Sequence, residues 1–141
     1  MEAAHAVAAS ATLVWLGMVL AISFIEAPLK FRAPGVTLQL GLGIGRLVFR
    51  ALNACELALA TAVVASFAFQ PPTTGIAVAA GIAIVALLTQ VLIVRPRLAR
   101  RSDAVLAGDD APRSRAHWVY VGLEIPKVVA LLIAGVLLLA T

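Results

Sequence analysis

With 141 residues, 62% of them hydrophobic and 13% charged, the chain carries about half the ~25% charge of an ordinary soluble domain and exceeds its ~45–50% apolar content. That composition excludes a soluble globular fold and leaves one membrane-embedded domain spanning residues 1–141. The net charge of +4 does not mark a nucleic-acid binder. The basic residues fall in short stretches between apolar runs, where they act as topology signals.

The first apolar run predicts a helix over 3–25, long enough for the ~20 residues that cross a hydrocarbon core. No Lys or Arg precedes Lys30, and secretory leaders begin with a basic region, so this run is expected to be a retained helix. Trp15 lies mid-span and is expected to be packed inside. The helix is predicted to end in FIEAPLKFRAPG, where Pro28 and Pro34 do not continue a helix easily. The region 36–69 would measure ~50 Å as one helix, too long for a bilayer. The sequence therefore predicts a lead-in over 36–47, with Gly41, Gly43 and Gly45 allowing a bend or close packing, and a second helix over 48–69. A third follows over 76–94 after an uncharged turn. The segment 95–115 holds six arginines and three aspartates and is predicted to begin as a helical extension that breaks near Gly108 and Pro112. The last helix is predicted over 116–140, with a kink at Pro126.

The expected fold class is thus all-α, a four-helix transmembrane bundle. Ten of the eleven Lys and Arg lie in the loops 26–47 and 95–115 or beside them, and Lys127 is the deep exception. The positive-inside rule then places those loops in the cytoplasm and both termini outside, in a multi-pass protein of the plasma or inner membrane.

The last helix opens on AHWVYVGLEIPK. Its polar side chains His117, Tyr120, Glu124 and Lys127 share an arc of ~80° at ~100° per residue. Ionisable groups at membrane depth are expensive and face a partner or a wet cavity. Counted from the basic end, Asn53 and Glu56 of the second helix and Gln90 of the third reach a similar depth, and Glu26 stands at the rim of the first. These eight residues are the candidate binding site. One reading is a structural knot, in which Glu124 and Lys127 neutralise each other and Glu56 or Glu26 fixes the register. The other is a cytoplasm-facing vestibule that binds or passes a polar solute, ion or proton.

No nucleophilic triad, phosphate loop or zinc signature is present, so no catalytic residue is assigned and enzymatic activity is not the expected role. The lone Cys55 excludes an intrachain disulfide and a cysteine cluster. His5 and His117 fall at opposite faces, ~30 Å apart, and cannot ligate one haem within the chain. Glu26, Glu56, Glu124 and His117 have no metal-site spacing, so no metal is assigned, and the sequence names no cofactor. Four short helices enclose little volume, so the expected partners are the lipid bilayer and a homo-oligomer or larger membrane complex, in which the chain would alternatively serve as an accessory subunit.

The succession of FIEAPLKFRAPG, GRLVFRALNACELA, a helix closing on VRPRLARR and a last helix opening HWVYVGLEIPK resembles the small four-helix membrane proteins of the transmembrane protein 205 type. Phe24, Pro28, Phe31, Phe49, Pro96 and His117 look like that family's recurrent positions. The resemblance implies a four-helix bundle and a loose association with transport or resistance to metal compounds. It lends no catalytic residues, and the Glu124 and Lys127 pair is not matched to the family's pattern.

Overall fold

Apolar runs in a lipid-like medium must satisfy every backbone N–H and C=O internally, so they fold as helices. The computed structural model describes residues 2–108 and 115–141, with only the backbone of 115–117. Among the described residues there is no strand. Four helices are long and apolar enough to cross a membrane, the architecture of a multi-pass membrane protein. They are α1 (Glu2–Lys30), α2 (Leu38–Phe69), α3 (Thr74–Leu106) and α4 (Arg115–Ala140).

Three helices are longer than the sequence predicts. α1 and α3 each pass through a proline. A π-helical segment, Leu20–Glu26, precedes Pro28, and a second, Gln90–Val94, precedes Pro96. A proline lacks the N–H and crowds the carbonyl four residues back. The wider π turn accommodates it without ending the helix. The boundary at 25 is therefore corrected to Lys30, and the helical extension expected beyond 94 continues the helix without a stop as far as Leu106. α2 is likewise one helix of 32 residues, not a lead-in followed by 48–69. Thr37 caps it, its Oγ1 accepting from the Leu40 N–H at 3.1 Å. Bilayer thickness limits the apolar part of a helix and not the helix itself. The surplus turns of α2 and α3 extend past the apolar region and pair with each other. Gln39 Nε2 donates to the Val105 carbonyl at 3.2 Å, and Arg46 pairs with Asp103. Most of 26–47, expected as a loop, is thus helical, and 95–106 forms the helical extension expected of that segment.

α3 closes on Gly108, whose φ of 96° is left-handed and whose N–H reaches the Val105 carbonyl at 3.0 Å. The expected break at Gly108 is there, while Pro112 lies outside the described residues. α4 is a single helix across Pro126.

α1 packs on α2 and on α4, and α4 packs on α3. The interfaces are made of small residues: Ala8 and Ala11, Ala60, Ala80 and Ala83, Ala130 and Ala134 are all buried. Small side chains let helices approach closely where lipid offers no hydrophobic drive between them. Gly41 serves the same end. A Cβ there would stand 2.2 Å from the Phe31 ring, so the expected close packing at this glycine is realised against the end of α1. Large apolar side chains such as Val85, Leu92, Leu132 and Leu139 point outward, as suits a lipid-facing surface. α2 and the Gln90–Val94 turn of α3 are not packed closely on each other, and the space between them bounds the site.

Candidate functional site

Lys127 is fully buried at the centre of the bundle's polar layer. Its Nζ donates to Glu56 Oε2 at 2.6 Å and to Gln90 Oε1 at 2.8 Å, and lies 2.5 Å from Glu124 Oε1. Three helices meet through one ammonium: α2 supplies Glu56, α3 supplies Gln90, and α4 supplies Glu124 and Lys127. The last two are three residues apart and so adjacent on one face. Gln90 opens the second π segment, and its Nε2 donates to Glu124 Oε1 at 2.7 Å and to the Tyr120 carbonyl at 3.2 Å. Asn53, one turn before Glu56, donates to Glu56 Oε1 at 3.1 Å and to the Tyr120 hydroxyl at 3.4 Å. α1 contributes Trp15, whose Nε1 donates to Glu56 Oε2 at 2.8 Å.

Two carboxylates and one ammonium leave this group with a formal charge of minus one. Glu56 is saturated, with donors on both oxygens. Glu124 is not: its Oε2 is buried and has no hydrogen-bond partner. Leaving a buried acceptor unmade costs about 1–3 kcal/mol, more for a charged one.

Glu124 also lines a cavity of about 820 Å³ that runs toward the basic end of the bundle. Its walls carry Phe24 and Phe31 from α1, Phe49, Ala54 and Leu57 from α2, Val91 and Leu98 from α3, and Tyr120 from α4. Both π segments border it, through Ser23 and Val91. Such segments recur at functional sites. The Ser23 hydroxyl is a second buried polar atom without a partner. Nearer the basic end the wall is cationic. Lys30 Nζ and the Arg95 guanidinium each lie 5.9 Å from the centroid of the Phe49 ring. That ring and the Tyr120 ring stand nearly perpendicular, with centroids 5.7 Å apart. Arg46, Arg50 and Arg101 also line the cavity.

Six of the eight residues expected from the sequence come together: Asn53, Glu56, Gln90, Tyr120, Glu124 and Lys127. Glu26 does not join them. It turns to Lys30, one helical turn on, at 3.6 Å. The π segment that ends at Glu26 resets the rotation of α1, so a rim position that looked close in depth faces elsewhere. The side chain of His117 lies outside the described residues. Among the described residues no three His, Cys, Asp or Glu gather as a metal site. His5 makes a 2.7 Å contact through Nε2 with the Leu138 carbonyl at the far end of the bundle.

Trp15 is the member that sequence reasoning missed. A signal existed, because a mid-span indole N–H needs an acceptor when buried, and the polar residues of α2 to α4 offer acceptors at that depth. The cationic wall of Lys30, Arg50 and Arg95 is likewise not legible as a site in the sequence, where basic residues at helix ends serve as topology signals.

Comparison of the chain with protein-family models, with curated proteins and with solved structures gives no match.

Proposed function

We propose that the chain is a small solute-binding, transporter-like membrane protein whose site is the cavity ending on Glu124. The observation that carries this reading is the unpartnered Glu124 Oε2. A purely structural knot would satisfy both carboxylates, as it does Glu56. Here one buried oxygen is left unmade on the side chain that lines the cavity. A solute group with N–H or O–H donors would complete it. The segregation of basic residues supports an orientation with the termini outside and the cavity's cationic wall toward the cytoplasm.

The alternative is an accessory subunit in which the polar group only fixes helix register. It draws support from the mutual pairing of Asn53, Glu56, Gln90 and Lys127. The two readings part on Lys127→Met combined with Glu124→Gln, which keeps the formal charge of the group. If the cavity is a binding site, native mass spectrometry of the purified wild type shows a co-purifying small molecule that the folded double variant lacks. If both proteins carry no adduct, or both carry the same one, the site reading fails.

A further inference from the structure

We infer that the occupant of this cavity is an aminophospholipid, its phosphate held at Arg50 and Arg95 and its primary ammonium at Glu124. This rests on the reading of the cavity as a solute site. The cavity has two chemically opposite ends. At one end Lys30 and Arg95 flank the single Phe49 ring, with Arg50 beside them. Lys30 already has Glu26, but no carboxylate among the described residues pairs with Arg50 or Arg95. Gathering like charges on one wall is unfavourable unless an anion joins them, and a guanidinium fork suits a phosphate. At the other end stands a carboxylate oxygen without a donor, 2% exposed as a residue. It rejects a second anion and asks for N–H. Arg95 and the Phe49 ring stand at the cationic end, and Tyr120, whose ring meets Phe49, lies one helical turn or ~6 Å of rise before Glu124 at the anionic end. A phosphate joined to an ammonium through two carbons spans such a gap.

The apolar walls and the opening decide for a lipid over a water-soluble zwitterion. Ala54 and Leu57 line the cavity yet are exposed on the surface of α2. Leu57 follows the fully buried Glu56, so the opening reaches the depth of the polar layer. On α3, Leu92, next to the lining Val91, is 69% exposed. The gap between α2 and α3 therefore faces hydrocarbon at this level, and an acyl chain leaves through it into the leaflet. A phosphocholine headgroup has the same charges but no N–H. A phosphoglycerol headgroup lacks the cation. The structure thus assigns a preference for phosphatidylethanolamine over both.

The test is native mass spectrometry of the full chain against an equimolar mixture of phosphatidylethanolamine, phosphatidylcholine and phosphatidylglycerol. The wild type should retain phosphatidylethanolamine about tenfold over phosphatidylcholine, the ratio expected of one charged hydrogen bond. Glu124→Gln should erase that preference. Arg50→Gln with Arg95→Gln should lower retention of all three lipids alike. Ala54→Trp, which touches none of the polar group, should close the gap and abolish retention with an unchanged unfolding temperature. A wild type that prefers phosphatidylglycerol overturns the assignment, as does a preference that survives in Glu124→Gln. If no lipid is retained while soluble O-phosphoethanolamine raises the unfolding temperature of the wild type but not of Glu124→Gln, the lipid assignment falls and the solute site stands. If neither lipid nor O-phosphoethanolamine binds, both fall.

Discussion

Replacing Lys127 by Met probes the polar layer at its centre. The change removes the ammonium that contacts Glu56 Oε2 at 2.6 Å, Glu124 Oε1 at 2.5 Å and Gln90 Oε1 at 2.8 Å, while the Met side chain preserves much of the volume. The formal charge of the buried group goes from minus one to minus two. Removing one partner of a buried ion pair costs about 3–5 kcal/mol, because the remaining charge is left uncompensated. For a chain of this size ~1 kcal/mol moves the unfolding midpoint by ~3 °C, so Lys127→Met should lower it by ~10–15 °C. Glu124→Gln added to Lys127→Met returns the formal charge to minus one. Glu56 then keeps its Trp15 and Asn53 donors. The Gln side chain at 124 still offers an acceptor to Gln90. The double variant should therefore recover at least half of the loss, ~1.5–2.5 kcal/mol or more. Intrinsic-fluorescence unfolding of the purified variants in one detergent reads both numbers. An unchanged midpoint for Lys127→Met would refute the pairing. A double variant no more stable than the single one would show that excess buried charge is not the source of the loss.

Two further outcomes are expected, the first from the segregation of basic residues and the second from packing. In a Cys55→Ala background, Thr73→Cys should react with a membrane-impermeant maleimide in intact cells, and Ser102→Cys should react only after permeabilisation. Labelling of Ser102→Cys from outside would invert the proposed topology. Gly41→Ala places a methyl 2.2 Å from the Phe31 ring, an overpacking worth ~1–3 kcal/mol. Phe31→Ala should suppress that loss, and a loss that persists in the pair would place the strain elsewhere.

The sequence by itself determined the number of helices and where each begins to be apolar. Transfer of a ~20-residue segment into hydrocarbon depends on its composition, and composition is local. It also determined that Tyr120, Glu124 and Lys127 share a stripe, since spacing within one helix fixes relative angles. The proline-bearing segments misled, because Pro28 and Pro96 each follow a π turn that lets the helix continue, and nothing local announces the turn. Rotation of one helix against another was settled only in the tertiary structure. The stretch Thr74–Thr89 of α3 is apolar all round, so its core side and its lipid side look alike in sequence. The direction of Trp15 toward Glu56, the turning away of Glu26 to Lys30, and the gap between α2 and α3 all depend on that rotation. It is set by which small residues, Ala8, Ala11, Ala60, Ala83 and Ala130 among them, allow two backbones to close.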